Sequence, residues 1–207
     1  PETVVWNHRT YRVFGGVSHP EGGQSALATT YWMDVTDTEE MRRTLELTRP
    51  VVAILMVDNY EDLMKATPEG KRSAVRAMLE GAGYRVLHTA VVPDDKLTIS
   101  RELCRCADEL GCDLVLTTGG TGLSPRDVTP EATRAVVHRE IPAIPQTMLY
   151  ASLAITPRAM LSRAAAGTRG SCLIINLPGS EKAARENLAA VLDTLGHALE
   201  MLRGGGH

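Results

Sequence analysis

The segment CDLVLTTGGTGLSPRDVTPEAT, which runs from Cys112 to Thr133, determines the fold class of this 207-residue chain. It opens with a short apolar run that is typical of a buried strand, Cys112–Thr118. A glycine-rich turn, Gly119–Gly122, follows directly, and Thr129-Pro130 then marks a helix start with proline at the first position. A strand, a turn and a helix in this order predict one unit of an α/β fold.

The same alternation of strand and helix continues on both sides of this segment, from Pro50 onward. Short apolar runs predict buried strands, and amphipathic stretches with capping residues or a closing glycine predict helices. The predicted strands are Val51–Val57, Tyr84–Val92, Cys112–Thr118 and Ser171–Leu177, and the predicted helices are Ser73–Ala82, Asp95–Leu110, one that opens at Thr129-Pro130, and Ser180–Leu202. The short connections predict a mostly parallel sheet with helices on both faces, which binds ligands at the carboxyl ends of its strands.

The first 50 residues have a different pattern. Two β-rich runs, Val4–Phe14 and Ala26–Val35, flank a turn region rich in glycine, serine and proline, Gly15–Ser25. A short helix is predicted at Asp37–Leu47. We therefore predict three parts of the chain: a β-rich N-terminal extension at 1–50, an α/β domain at 51–203 and a tail at 204–207.

The composition excludes several classes of protein. Hydrophobic residues make up 43% of the chain but aromatic residues only 4%, so the core must consist mainly of aliphatic side chains. The net charge is -3, with acids and bases mixed along the chain, which argues against a nucleic-acid-binding protein. No apolar run reaches the ~20 residues of a membrane helix, and no signal-peptide pattern is present, so we expect a cytoplasmic protein that does not enter the membrane.

The four cysteines, Cys104, Cys106, Cys112 and Cys172, are expected to be reduced. The spacing of the first three could indicate a metal cluster. We favour core packing instead, because residues two apart in a helix point in different directions, and cysteine at the start of an apolar strand behaves as a small hydrophobic residue.

The turn Gly119–Gly122 is a candidate binding loop for an anion. Glycine allows backbone N–H groups to converge without interference from a Cβ atom, and Thr118 and Thr121 add hydroxyl groups. The arrangement suits a phosphate group or the edge of a pterin, although tight turns also use glycine. It lacks the GKS or GKT ending of a P-loop and the GxGxxG pattern of dinucleotide-binding folds.

Two acidic residues follow predicted strands near this loop. Asp127 lies just before the helix that opens at Thr129, and Asp94 follows the strand Tyr84–Val92. Either of them, or the adjacent Asp95, could simply cap a helix. Two carboxylates beside a phosphate-sized loop also suit Mg²⁺, which binds a few carboxylates together with substrate phosphates.

Two further stretches could contact an anionic ligand. In Asn176–Ser180, the glycine and the helix start could present N–H donors, or the stretch could be an ordinary turn in which Ser180 caps the helix. In Leu161-Ser162-Arg163, a hydroxyl and a guanidinium could bind phosphate, or the arginine could lie at a surface or interface.

Two long motifs carry a resemblance to a known family. They are LVLTTGGTGLSPRDVTPEATRAVVHREIP, from Leu114, and SLAITPRAMLSRAAAGTRGSCLIINLPGS, from Ser152. They resemble the molybdopterin adenylyltransferase family of MogA-type bacterial enzymes and the N-terminal domain of gephyrin, over about residues 84–203. The resemblance implies a trimeric α/β/α sandwich with the molybdopterin-binding fold. It also implies Mg²⁺-dependent transfer of AMP from ATP to molybdopterin with release of pyrophosphate, and a partner for molybdenum insertion.

The same resemblance implies roles for individual residues. Asp94 matches the acid of a VPDE-like motif and Asp127 the acid of the RDVTP motif, so both are expected to be catalytic or to bind Mg²⁺. The expected substrate-binding residues are Thr118, Gly119, Gly120, Thr121, Gly122, Ser162, Asn176, Pro178, Gly179 and Ser180.

The N-terminal part departs from this family. Residues 1–75, above all the stretch from Thr30 to Ala74, resemble the end of a PAS domain and a degenerate GGDEF segment of cyclic-di-AMP phosphodiesterases, which suggests a hybrid chain joined near residues 76–83. The family usually has a Ser-Asp pair after its first strand, where this chain has Asp58-Asn59. The alternatives to an active enzyme are therefore a molybdopterin-binding module with little or no activity, because this first loop is foreign, and a scaffold protein. Whether Asp58 replaces the missing acid stays open.

Overall fold

The computed structural model describes residues 2–18, 27–57 and 68–205. The chain divides into two units, Pro1–Arg49 and Pro50–His207. No helix in the described part of the chain is both long enough and apolar enough to cross a bilayer.

The first unit contains a three-stranded antiparallel sheet in the order β1-β2-β3 and one helix. The strands are β1 (Glu2–Trp6), β2 (Arg9–Ser18) and β3 (Leu27–Asp34), and the helix is α1 (Thr36–Thr48). The predicted β-rich extension and its helix are thus confirmed. Residues 19–26 of the predicted turn region lie outside the described residues.

The predicted first strand is interrupted by a two-residue turn. Asn7 and His8 have φ angles of +47° and +62°, and they connect Trp6 to its antiparallel partner Arg9. Positive φ at both positions defines the type I′ turn, whose twist matches that of the flanking strands. The turn was not predicted from the sequence because it lacks the glycine that usually marks one.

The second unit contains a six-stranded sheet in the order β5-β4-β6-β9-β8-β7. The four strands β4, β5, β6 and β9 are parallel, while at one edge β8 pairs antiparallel with β9 and β7 pairs antiparallel with β8. The prediction of a mostly parallel sheet is confirmed. The strands are β4 (Val51–Val57), β5 (Arg85–Val92), β6 (Leu114–Thr118), β7 (Arg139–Glu140), β8 (Ala166–Arg169) and β9 (Cys172–Leu177).

Helices cover both faces of this sheet. They are α2 (Pro68–Gly81), α3 (Lys96–Cys104), α4 (Thr129–Val136), α5 (Ala143–Leu153) and α6 (Glu181–Leu202), with a π turn at Arg105–Glu109 and a 3₁₀ turn at Pro157–Leu161. Helix α5 was not predicted, because its residues are apolar nearly all round and no amphipathic periodicity marks it.

The alternation of side chains along β4 explains why this strand reads as a continuous apolar run. Val52 and Ile54 pack with residues of α2 and α6 in one core cluster. Ala53 and Leu55 point to the other face and pack with residues of α3 and α4. Because β4 is buried on both faces, the unit has the three layers of an α/β/α sandwich.

The cysteines pack mainly as small apolar residues. Cys106, Cys112 and Cys172 are buried in the cluster on the α3 side of the sheet, and Cys104 is half-buried at its edge. Burial raises the pKa of the Cys106 thiol to about 12 and that of Cys112 to about 11. These thiols are therefore neutral at physiological pH, as packing requires.

Replacing His8 tests the hairpin. His8→Gly should stabilise the first unit by roughly 0.5–1 kcal/mol, because glycine adopts a positive φ without the steric cost that histidine incurs. His8→Ala retains that cost and serves as the matched control. Both tryptophans, Trp6 and Trp32, lie in this unit, so tryptophan fluorescence during urea denaturation reports its unfolding. Equal midpoints for the two variants would contradict the assigned turn.

Candidate functional site

The glycine loop after β6 crosses the carboxyl end of the neighbouring strand β4. Gly119 has a φ of +105°, and a Cβ atom there would lie 2.3 Å from the carbonyl oxygen of Val57, the last residue of β4. Gly120 has a φ of +63°, and a Cβ atom there would lie 2.3 Å from Thr129 Oγ1. Only glycine fits at these two positions, because any side chain would collide with backbone or with a buried hydroxyl.

The two predicted acids border this loop from two sides. A Cβ atom on Gly120 would lie 3.2 Å from Asp94 Oδ1, and one on Gly122 would lie 3.0 Å from Asp127 Oδ2. Asp94 follows β5, which β4 separates from β6. The acid and the glycines meet because the loop passes over the end of the intervening strand.

Neither acid serves as a helix cap. Asp95 caps α3, since its Oδ2 accepts hydrogen bonds from Thr98 N at 2.7 Å and from Thr98 Oγ1 at 2.6 Å. The residue before α4 is Val128, which makes no side-chain cap. Asp127 instead accepts a hydrogen bond from Ser124 N at 2.8 Å, which closes the turn before the helix.

Arg163 holds the remainder of this loop in place. Its backbone N donates to Thr121 O at 3.0 Å, and its Nε donates to Gly122 O at 2.7 Å. Its two terminal nitrogens donate to the backbone oxygen of Asp127 and to the carboxylate of Glu131. The arginine of the predicted LSR motif is thus an intramolecular clamp, a role that its sequence context did not reveal.

The carboxylate of Glu131 stays ionised beside this arginine. Burial alone raises its pKa, but hydrogen bonds from its own backbone N–H and from Arg163 outweigh that effect, so the net pKa lies below the ordinary value. The ion pair therefore persists at neutral pH and stabilises the start of α4, where the helix dipole also favours a negative charge.

Asn176, which is one of the predicted substrate-binding residues, has a framework role in the structure. Its side chain is fully buried. Oδ1 accepts a hydrogen bond from Ala165 N at 3.1 Å, while Nδ2 donates to Thr117 Oγ1 at 3.0 Å and to Thr133 Oγ1 at 2.8 Å. The amide therefore ties β6, β9, α4 and the residue before β8 together beneath the glycine loop.

The loop after β9 lies directly against the glycine loop. Gly119 N donates to Leu177 O at 3.2 Å, and a Cβ atom on Gly179 would lie 3.3 Å from Gly119 Cα. Ser180 caps α6, because its Oγ accepts a hydrogen bond from Ala183 N at 3.2 Å. The hydroxyl thus belongs to the helix start, whereas the close approach of the two glycines brings the loops together.

A mainly apolar cavity of about 300 Å³ opens beside the glycine loop. Four of the predicted residues line it: Thr121, Gly122, Ser162 and Pro178. Its other walls come from α5, the 3₁₀ turn and α6, and include Met148, Leu149, Arg158, Leu161 and Asn187. Arg158 and Leu161 belong to the motif that begins at Ser152, whereas no motif marked Met148, Leu149 or Asn187 in the sequence. Thr118 lies at the end of β6, half-buried.

The residues around this loop are those of a known family. The model of the probable molybdopterin binding domain matches residues 54–197. The chain belongs to this family. The match begins within β4, about thirty residues before the resemblance recognised in the sequence, and includes the glycine loop, both acids and the loop after β9.

Individual members of the molybdopterin-binding family are also similar to this chain. The molybdopterin adenylyltransferase of Helicobacter pylori strain J99 is 44% identical over 146 residues, which cover 70% of this chain and 80% of that protein. The enzyme of the same name from Escherichia coli K12 is 46% identical over 113 residues, or 55% of this chain. This chain therefore spans 58% of the length of the E. coli relative.

A solved structure supports the fold. The molybdopterin biosynthesis enzyme MoaB from Thermus thermophilus superposes with a TM-score of 0.70 at 45% sequence identity. The superposition covers 75% of this chain and 98% of that one. The second unit is therefore a nearly complete domain of this family.

Alanine substitutions test the close approach of the glycine loop to β4. Gly111 also has a positive φ, +62°, but a Cβ atom there meets nothing within 4 Å. Both Gly111→Ala and Gly119→Ala incur the cost of a positive φ, ~1–2 kcal/mol in the left-handed region and more at the +105° of Gly119, and only the second adds a collision. We expect Gly119→Ala to lower the free energy of unfolding by about 1 kcal/mol more than Gly111→Ala does. Equal losses in urea denaturation followed by circular dichroism would contradict the contact.

Replacing Arg163 should make local opening of the loop from Gly122 to Asp127 more frequent. In Arg163→Lys a single ammonium group cannot reach Gly122, Asp127 and Glu131 at once. We expect hydrogen exchange of the Asp127 amide, which bonds to Ser124 O, to accelerate on the order of tenfold, for a loss of about 1.4 kcal/mol. Arg185→Lys, on the exposed side of α6, is the matched control and should leave this rate unchanged.

Proposed function

We propose that this protein takes part in molybdenum cofactor biosynthesis and transfers AMP from ATP to molybdopterin, with release of pyrophosphate. One observation carries the proposal: the glycine loop of a molybdopterin-binding domain meets the carboxylates of Asp94 and Asp127 at the carboxyl edge of the sheet. The curated relatives named molybdopterin adenylyltransferase support the same reaction.

The reaction needs positioned phosphate groups more than it needs a reactive side chain. The terminal phosphate of molybdopterin attacks the α-phosphorus of ATP, a new P–O bond forms, and the bond to the pyrophosphate leaving group breaks. In phosphoryl-type transfers the protein contributes mainly alignment and stabilisation of negative charge. The backbone N–H groups of Gly120, Thr121 and Gly122 would bind the phosphate oxygens, as converging amides do in other anion-binding loops, while that of Gly119 donates to Leu177 O.

The cavity beside the loop suits the pterin end of the substrate. Its volume and its largely apolar walls fit a flat heteroaromatic ring, with a few polar groups to orient it. Thr121 and Ser162 lie where the cavity meets the glycine loop, so a ring in the cavity would place its attached phosphate at the loop.

Asp94 and Asp127 fit a magnesium ion both in their chemistry and in their position. Mg²⁺ prefers oxygen ligands and usually binds one or two carboxylates together with substrate phosphates. Asp94 and Asp127 both offer carboxylate oxygens beside the same loop. When bound there, the ion would neutralise the negative charge that develops on the phosphates.

The buried residues beneath the loop act by positioning. Arg163 keeps the backbone from Thr121 to Asp127 in one conformation, and Asn176 holds the ends of β6 and β9 together. Because both side chains are engaged within the protein, we expect their loss to lower turnover through disorder of the loop.

A second candidate function is a molybdopterin-binding module with little or no turnover. It is favoured by the sequence after β4, where Asp58-Asn59 replaces the usual Ser-Asp pair. Residues 58–67, including Asp58, lie outside the described residues. For the intact protein we further propose a cytoplasmic homotrimer that passes its product to a molybdenum-insertion partner, as the family resemblance implies.

Isosteric amides test the catalytic assignment. Asp94→Asn and Asp127→Asn should each lower the rate of adenylylated molybdopterin formation, from ATP, Mg²⁺ and molybdopterin, by roughly 100-fold or more, because each removes a charge beside the phosphates. Asp95→Asn is the matched control: the adjacent residue caps α3, and asparagine caps a helix equally well. Unchanged rates in both site variants would contradict the catalytic roles of Asp94 and Asp127.

The same assay separates the two candidate functions. An enzyme yields product and pyrophosphate in equal amounts. A wild-type protein that binds molybdopterin tightly, retains the glycine-loop contacts and yields no product would instead be a binding module.

A further inference from the structure

Three side chains with metal-binding atoms meet on the α3 side of the sheet, at residues that the proposed reaction does not use. They are His88 in β5, Glu102 in α3 and Cys106 in the π turn, and their ligand atoms all lie within 4.8 Å of one another. His88 Nε2 and Glu102 Oε1 are 2.8 Å apart. Cys106 is fully buried, whereas the side chains of His88 and Glu102 are 23% and 19% exposed.

We propose that His88, Glu102 and Cys106 form a zinc site. One nitrogen, one carboxylate oxygen and one sulfur are the ligand types that Zn²⁺ combines in proteins. The sulfur disfavours Mg²⁺ and Ca²⁺, which select oxygen ligands only. Three protein ligands leave the fourth tetrahedral position for water, and the partial exposure of His88 and Glu102 gives water and the ion a route to the site.

The distances require only small side-chain movements. Ligand atoms around a tetrahedral zinc ion, with bonds of about 2.0–2.3 Å, lie about 3.3–3.8 Å apart. Starting from separations within 4.8 Å, rotations that shift each atom by about 1 Å or less would complete the geometry.

The local backbone supports the site independently. Cys106 lies in a π turn, in which Leu110 N donates to Arg105 O at 3.0 Å across five residues. Such single turns inside helices often occur at functional sites. Arg105 also donates to Glu102 Oε1 at 2.8 Å, the oxygen that lies beside His88 Nε2. The second contact resembles the outer hydrogen bonds that fix metal ligands in known sites.

Zinc at this position would bind the Cys106 sulfur as a thiolate, and the thiol proton would pass to solvent when the ion binds. The ion would join β5 to α3, the two elements that flank the turn with Asp94. The site would therefore stabilise the position of that acid without contacting the substrates.

The test uses the full chain, stripped of metal and titrated with Co²⁺ and with Zn²⁺. We expect one ion per chain by calorimetry and a thiolate-to-cobalt charge-transfer band in the near ultraviolet. Cys106→Ser should abolish the band and weaken Zn²⁺ binding at least about tenfold. Cys104→Ser is the matched control, because Cys104 lies in the same helical segment but outside the triad, and it should keep the band and the affinity.

His88→Gln keeps the test decisive if the buried Cys106→Ser variant folds poorly. Its side chain is partly exposed, so the variant should remain folded and still bind Zn²⁺ at least about tenfold more weakly. The proposal is overturned if wild-type protein shows no charge-transfer band, if His88→Gln binds zinc as tightly as wild type, or if Cys104→Ser loses the band. None of these readouts depends on adenylyl transfer, so a failure here leaves the proposed function untouched.

Discussion

The backbone of Gly119 passes so close to the carbonyl oxygen of Val57 that no side chain fits between them. This contact lets the loop after β6 lie across the end of β4 and reach Asp94, in the turn after β5. Two neighbouring contacts have the same character, at Gly120 beside Thr129 and at Gly179 beside Gly119. The loops after β5, β6 and β9 can meet and form the candidate site because glycines leave room where side chains would collide.

Close approach alone would leave this backbone free to move, and buried polar side chains prevent that. The amide of Asn176 satisfies hydroxyls on β6 and α4, while Arg163 binds two backbone carbonyls of the loop and the carboxylate of Glu131. Buried polar groups are costly unless they have partners, and the amide of Asn176 has a partner for its oxygen and two for its nitrogen. The network converts a flexible glycine segment into a defined surface, which is the condition for aligning two phosphate-bearing substrates.

The sequence predicted the features that depend on local patterns. The four parallel strands, the glycine loop and the two acids each follow from apolar runs, glycines and residues that end strands. Features that depend on long-range contacts escaped it. Arg163 acts through carbonyls some forty residues away in the chain, and Asn176 points inward although its motif suggested a substrate contact. The very short strands β7 and β8 offered too few residues for a periodicity, and the turn at His8 uses an unusual residue.

Clusters assembled from separate elements were equally hidden. His88, Glu102 and Cys106 have no metal-binding spacing, because one lies on a strand and two on the helical segment that packs over it. Sequence spacing identifies ligands only when a single element or turn supplies them.

The adjacent residues Asp94 and Asp95 divide two tasks between identical side chains. One faces the glycine loop and the other caps α3, and their order alone decides which does which. Loss or gain of one residue in the turn after Val92 would change which side chain faces the glycine loop and which caps α3, even though an aspartate would still be present. Such an in-frame change, which leaves composition nearly intact, should impair the protein more than most substitutions on its surface, so the site depends on the length of this turn as well as on its acid.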